Sequence, residues 1–320
     1  MTGAVGIEVH DLTKSFGGTR ALDGLDLVVG AGSVVAVLGP NGAGKSTLTR
    51  ILATLATADS GRACVAGFDV AAQAGEVRRR IGVTGQSTSL DEYLTGRQNL
   101  VMVGRLCRLP SRAAKARADE LLDQFQLGDA ADRPTKTYSG GMLRKLDLAA
   151  SLVTRPEVLF LDEPTTGLDP RARLGLWDVI RALGKEGTTI LLTTQYLDEA
   201  DQLAQQVAVV DHGRVIARGT SDELKAQVGG EVLELTLSPG MKVQQAVQLL
   251  AQLAWGEPTA IEDSHVVSVP LSRAHGSVTE VVRMLDRSGL IVDDISVRRP
   301  GLDDVFMKLT GHAAEVGGAE

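Results

Sequence analysis

Gly39-Pro40-Asn41-Gly42-Ala43-Gly44-Lys45-Ser46-Thr47 follows the apolar run Val34–Leu38. It precedes a segment in which Leu48, Ile51, Leu52 and Leu55 recur at i, i+3, i+4 and i+7. The short run reads as a buried strand, and the spacing after it as one face of an amphipathic helix. Gly39, Gly42 and Gly44 let backbone N–H groups converge on phosphate oxygens, where a side chain would block approach. The helix that starts here adds the positive end of its dipole. Lys45 suits the charge of β and γ phosphates, and the Ser46 hydroxyl suits Mg²⁺. The bland alternative is a glycine-rich turn with an incidental lysine. The complete G-x-x-x-x-G-K-S pattern between strand and helix counts against it.

Further along, Val158–Leu161 is another short apolar run, read as a parallel strand, and it ends at Asp162–Glu163. A bare carboxylate pair at a strand end is costly to bury without a cation. Asp162 is therefore expected to hold Mg²⁺ through water and Glu163 to polarise an attacking water. A solvated turn with two acids is the alternative, and it leaves the phosphate loop without its acidic counterpart.

Between these segments Ser139 opens a helix whose Met142, Leu146, Ala149, Ala150 and Val153 share a stripe. Capping alone accounts for Ser139. It does not account for Gly140 and Gly141, each of which weakens a helix start by roughly 1 kcal/mol relative to Ala. Glycines there make sense where a phosphate touches the backbone at a helix N-terminus.

The order of these three parts resembles the ATP-binding-cassette (ABC) ATPase superfamily. The resemblance implies an α/β fold: a P-loop ABC ATPase domain with a helical subdomain, followed here by a small α+β C-terminal domain. It implies ATP and Mg²⁺ as cofactors and all of Gly39–Thr47 as nucleotide-binding, Pro40, Asn41, Ala43 and Thr47 included. Because the superfamily uses Ser139–Gly140–Gly141 in trans, a second ATPase subunit is expected, most simply a second copy. Phe16 falls where the family stacks an aromatic on adenine, although an isolated Phe is as readily core. Gln86 resembles the glutamine that reaches Mg²⁺ and couples to the membrane partner. Asp169 caps the helix begun by Pro170, a role compatible with the family's contact across the dimer.

One position departs from the superfamily. After the apolar strand Thr189–Thr194 most members place a histidine, and here Gln195 stands in the segment TTQYLDEAD. Gln can donate a hydrogen bond to a γ-phosphate but cannot carry charge or relay a proton. The glutamine resembles the daunorubicin-resistance branch of ABC exporters. So do LDEYLTGRQNL at Leu90–Leu100, YSGGMLRKLDLAASL at Tyr138–Leu152 and LDDVFMKLTG at Leu302–Gly311. That branch implies an integral-membrane permease as partner and a cytoplasmic location on the inner face of the membrane. Two rivals stay open: a non-transport ABC ATPase, and a slow regulatory nucleotide-binding module that Gln195 keeps in play.

Composition bounds the rest. A chain of 320 residues, 43% hydrophobic, is long enough for two domains. With 33 basic and 40 acidic residues the net charge of −7 argues against a nucleic-acid partner held by bulk electrostatics. The run Arg78–Arg79–Arg80 reads as a solvated helix face before it reads as a local basic patch. Cys64 and Cys107 have no metal or disulfide spacing, and the five histidines are scattered. No apolar stretch approaches the ~18–20 residues of a membrane span, and no signal-peptide pattern opens the chain.

The first strands are expected at Ile7–Ser15 and Leu25–Val29. A helical insertion is expected from about Tyr93 to Tyr138, with Thr95 and Ser111 as caps and Ala113–Phe125 as an amphipathic helix. A hairpin is expected at Val207–Asp211 and Val215–Ala217. Composition shifts at Gly229–Gly230, dividing an ATPase domain, 1–229, from an accessory domain, 230–311, and a frayed tail, 312–320. The accessory domain reads β-α-β-α-β-α, ferredoxin-like in outline, with Ser277 and Glu280 as a capping box. It carries no catalytic constellation and reads as a packing or dimer-stabilising module, with docking to the permease as the sharper alternative.

Overall fold

Val34–Leu38, Val158–Asp162 and Thr189–Thr194 are strands in which every residue is buried. They lie side by side in parallel register. Continuous apolar runs of this length are what a parallel sheet covered on both faces demands. The computed structural model describes residues 5–85, 89–228, 232–238, 240–251, 258–261, 265–270, 278–298 and 301–310. It divides into two compact units between Thr220 and Ser221.

The larger unit begins with β1 (Val5–Phe16), β2 (Thr19–Gly30), β3 (Val34–Leu38) and α1 (Lys45–Leu52). Next come β4 (Ser60–Val65), β5 (Phe68–Asp69), α2 (Ala74–Arg78) and β6 (Ile81–Thr84). A helical segment follows with α3 (Gly96–Leu106), α4 (Ser111–Gln124) and α5 (Gly140–Ser151). The chain then returns through β7 (Val158–Asp162), α6 (Pro170–Lys185), β8 (Thr189–Thr194), α7 (Leu197–Leu203), β9 (Gln206–Asp211) and β10 (Arg214–Gly219).

Two sheets result. The central one has the order β10-β9-β3-β8-β7-β6 and is parallel except where β10 turns back on β9. The second, β2-β1-β4-β5, is antiparallel. Ile7, Val9, Leu25 and Leu27 from it share one core with Val35, Val37, Leu48, Ile51 and Phe160. In open parallel sheets ligands bind outside the carboxyl ends of the strands. The carboxyl ends of β3, β7 and β8 carry Gly39, Asp162 and Thr194 respectively, so the sheet brings the loop and the acids to one edge.

Two local expectations are corrected. Ser111 is the first residue of α4 and Pro110 occupies the cap, without a side-chain bond. Leu55 lies beyond the end of α1 and is 64% exposed, because the backbone leaves the helix at Ala53 and turns through Thr54 with φ +62. Thr95 does cap α3, in a reciprocal box with Gln98. Of the basic run, Arg80 stacks 4.1 Å above the Phe68 ring and pairs with Glu76 at 2.9 Å.

The smaller unit opens with α8 (Ser221–Val228), ahead of the compositional shift at Gly229–Gly230, which lies outside the described residues. It continues through β11 (Val232–Leu237), α9 (Val243–Leu250), β12 (Thr259–Ile261), β13 (Val266–Pro270), α10 (Val278–Ser288), β14 (Val292–Arg298) and α11 (Leu302–Thr310). Its strands pair antiparallel in the order β12-β13-β11-β14. With β12 added to the expected order, this is the β-α-β-β-α-β arrangement of a ferredoxin-like sheet. Leu233, Leu235 and Leu237 pack with Ala246, Leu250, Val281 and Leu285. Ser277 and the tail 312–320 lie outside the described residues. No described helix is long and apolar enough to cross a membrane.

Candidate functional site

The loop after β3 is held tightly by the chain itself. A Cβ at Gly39 would lie 2.3 Å from the Val210 carbonyl oxygen, so only glycine allows that approach. Gly44, the residue before α1, has φ +104, and a Cβ there would lie 2.3 Å from the Ala21 oxygen. It supplies no side-chain cap, so the first turn of α1 keeps its N–H groups for a ligand. Lys45 is only 4% exposed. Its Nζ donates to the carbonyls of Gly39 at 2.7 Å and Pro40 at 3.1 Å, and sits 3.8 Å from Glu163 Oε1. Asn41 and Gly42 stand exposed at the rim.

The acids meet this loop from β7. Asp162 Oδ1 accepts from Ser46 Oγ at 3.2 Å and from Thr193 Oγ1 at 2.5 Å. Glu163 has φ +48, a left-handed backbone that costs a non-glycine residue about 1–3 kcal/mol. Two acceptors on Thr193 hold its amide there, the carbonyl at 3.1 Å and Oγ1 at 3.2 Å. From this turn Glu163 Oε1 reaches to 3.8 Å from Lys45 Nζ.

Ser139 caps α5, its Oγ accepting from Met142 N at 3.3 Å. The two glycines that follow differ. At Gly140 no atom lies within 4 Å of the place a Cβ would occupy, so its outer side is open. At Gly141 a Cβ would come 2.8 Å from Ala172 Cβ on α6, so packing within the chain accounts for that glycine. Asp169 caps α6, Oδ1 accepting from Ala172 N at 2.9 Å. The starts of α5 and α6 therefore touch.

Phe16 ends β1 and is 55% exposed, with the Lys14 ammonium 5.4 Å from the ring centroid. That exposure removes the core reading of this residue. Gln195 follows β8 and is half-buried. Thr47 lies half-buried in the first turn of α1. Gln86 lies outside the described residues.

Several residues at the site carry no motif of their own. Thr193 links Asp162 to the Glu163 amide. Arg144, buried on α5, donates to the carbonyls of Gly85, Asp162, Glu163 and Pro164. Asp147, one turn on, accepts from Ser89 N at 3.3 Å, and burial pushes its carboxyl above the usual range. Burial does the same to Glu199 on α7, whose Oε1 accepts from Trp177 Nε1 at 3.3 Å.

The arrangement defines a phosphate-loop ATPase: a glycine cradle, a buried lysine and an acid pair meet at the ends of parallel strands. Residues 22–166 match the ABC transporter family. The chain is 54% identical over 309 residues to a daunorubicin resistance ATP-binding protein of Streptomyces coeruleorubidus, spanning 97% of this chain and 96% of that one. It is 39% identical over 310 residues to a Nod factor export ATP-binding protein of Sinorhizobium fredii, spanning 96% and 86%. A solved ABC transporter component from Clostridium perfringens superposes with a TM-score of 0.65 at 30% identity, covering 70% of this chain and 92% of the other. This chain belongs to the ABC transporter family, as an ATP-binding, ATP-hydrolysing exporter subunit of the daunorubicin-resistance type.

Proposed function

We propose that two copies of this chain close on two ATP molecules, each held between Gly39–Thr47 of one copy and Ser139–Gly141 of the other. Closure and reopening drive a separate integral-membrane permease from the cytoplasmic face, and the cargo is a drug-like or amphipathic compound. The observation that carries this reading is the meeting of Lys45, Ser46, Asp162 and Glu163 at the ends of β3 and β7. The open side of Gly140 supports the trans half, since it leaves room for a phosphate against the backbone. The relatives named for daunorubicin resistance and for Nod factor export support export of unlike compounds, which favours a broad cargo class.

Each residue has a physical task. Lys45 meets the charge of the terminal phosphates, and Phe16 stacks on adenine. Ser46 and Asp162 are the oxygens that fit Mg²⁺, Asp162 through water. Mg²⁺ favours few protein ligands and keeps waters, and among the described residues no cluster of three His, Cys, Asp or Glu side chains is placed to hold a metal. Held by Ser46 and Asp162, Mg²⁺ would supply neutralisation of charge on the phosphate oxygens. Glu163 orients and polarises the attacking water. Gln195 donates to the γ-phosphate, Gln86 is assigned to the same ion, and Asp169 adds a contact across the dimer while it caps α6.

Glu163→Gln tests this assignment. It should keep ATP affinity and lower kcat about 100-fold or more, because it removes a group that acts at water attack rather than in the ground state. Size-exclusion chromatography with ATP and Mg²⁺ should then show a trapped dimer. Hydrolysis at the parent rate removes Glu163 from the role, and a monomer at saturating ATP removes the closed pair.

A further inference from the structure

Arg144 donates four hydrogen bonds beside the site, and neither the phosphate loop nor the acid pair accounts for it. It lies on α5, one turn past Ser139–Gly141, and is 8% exposed. Nε donates to Pro164 O at 2.7 Å, and one terminal nitrogen donates to Gly85 O at 2.6 Å. The other donates to Asp162 O at 3.2 Å and Glu163 O at 3.0 Å. The guanidinium thus ties α5 to the three-residue turn that carries Glu163 and to the end of β6. Asp147, 3.7 Å from Arg144, holds the far side of the same connection through Ser89, with Ser89 Oγ at 3.5 Å in addition to the amide. Gly85 and Ser89, on either side of residues 86–88, are therefore both anchored on α5.

This placement is costly. A guanidinium out of water loses hydration that only well-aimed acceptors replace, and burial lowers its proton affinity despite the nearby acids. Only a planar fork of donors reaches four carbonyls spread over two segments. A lysine ammonium is a point charge with three donors and cannot. The four accepting carbonyls belong to two segments, and one of these holds a residue in a strained backbone.

We infer that Arg144 is a positioning residue: it fixes the backbone of Glu163 in its own chain to the helix whose N-terminus serves the other chain's nucleotide. The inference rests on the trans reading proposed above. Movement of α5 against the opposite ATP then alters the aim of the carboxylate in the same chain, so each site senses the other through one side chain. Arg144 touches no substrate; it acts through Glu163.

The first test uses the full chain carrying Arg144→Lys or Arg144→Met, followed by steady-state ATPase and by ATP titration calorimetry. Both variants should lower kcat more than tenfold and leave ATP affinity within about threefold, because ground-state phosphate contacts are untouched. The lysine variant should rescue little. If Arg144→Lys keeps more than half the parental kcat, or affinity falls in step with kcat, the inference is overturned.

The second test uses purified heterodimers of a Lys45→Ala chain with a Ser139→Arg chain, which retain one composite site. In that site Glu163 belongs to the Ser139→Arg chain. Arg144→Met in that chain should cost at least fivefold more activity than Arg144→Met in the Lys45→Ala chain. Equal losses would show general damage to α5 and overturn the inference. An inactive parent heterodimer would count against the trans reading itself, while the kcat-against-affinity split in the homodimer still judges the hold of Arg144 on Glu163.

Discussion

Glycines mark the starts of both α1 and α5, and their surroundings are opposite. At α1 the loop is pressed against Val210 and Ala21, the cap is a left-handed Gly44, and Lys45 is buried. At α5 a serine already caps the helix, and Gly140 faces open space. One start is pressed tightly against its own chain. At the other, Ser139 caps the Met142 amide and the outer side of Gly140 stays open, as a surface completed from outside would have it. Glycine therefore means two things here: close approach of self at α1, and room for something else at Gly140.

The sharpest way to break this contrast compares Lys45→Ala with Ser139→Arg. Lys45→Ala should weaken ATP binding by about 100-fold, the scale of a lost charge-assisted contact. Ser139→Arg should leave affinity of the separate subunit within about threefold while abolishing hydrolysis. Titration calorimetry with ATP and Mg²⁺ reads both. Equal losses of affinity would make α5 part of the same-chain site and erase the contrast.

A finer cut separates the two glycines of α5. Gly141→Ala should destabilise the protein by about 1–3 kcal/mol, because the new methyl overpacks against Ala172. Gly140→Ala should leave the melting temperature unchanged or raise it, since alanine favours a helix by up to about 1 kcal/mol. It should still lower kcat about tenfold, the scale of one lost hydrogen bond to phosphate. Thermal melts beside ATPase assays decide the matter. A Gly140→Ala protein as active as the parent would make the open side idle.

Gln195 should matter less. Gln195→Ala is expected to lower kcat about two- to tenfold with ATP affinity unchanged, matching a neutral hydrogen bond of about 0.5–1.5 kcal/mol. Gln195→His should keep activity and add a titration near about pH 6.5. ATPase profiles from about pH 5.5 to 8.5, with folding checked at each pH, test both statements. If the alanine variant matches the parent throughout, Gln195 leaves the site.

The smallest expected effect lies behind the site at Glu199. Burial holds its carboxyl above the usual range, so the folded state binds the proton more tightly than the unfolded state. That contribution is complete below the unfolded value, about 4.3, and is lost as pH rises through the folded value. Glu199→Gln is neutral at every pH and should lack this slope. The melting temperature of the parent should therefore fall relative to the variant as pH rises. Parallel curves would show that Glu199 does not titrate in this way.

What was legible in the sequence was short-range. Gly39–Thr47, Ser139–Gly141 and Asp162–Glu163 each lie within nine residues, and each sits where a fully buried strand or a capped helix imposes the pattern. Thr193 was not legible as a site residue, because its partner Asp162 is 31 residues away and its strand reads simply as apolar. Arg144 looked like one more basic residue after the signature, for its acceptors are carbonyls and any sequence supplies those. β4 leaves no apolar signal because its first three residues are exposed, and β12 because three residues carry no period. Ser111 suggests a cap because serine prefers that place, while Pro110 occupies it with φ −55 and ψ 146. A second reason for Gly141 to be glycine, its packing against Ala172, is not legible because Ala172 is on another helix.

The backbone of Glu163 bears on heat resistance. A residue at φ +48 is a weak point that selection for stability alone would remove. Asparagine tolerates that region better than glutamate, so Glu163→Asn should appear among variants screened only for a higher melting temperature. On the role proposed for Glu163, such a protein would outlast its parent on heating and do no work. The tolerance of this fold for warmth is thus limited, at this one position, by what the position is for.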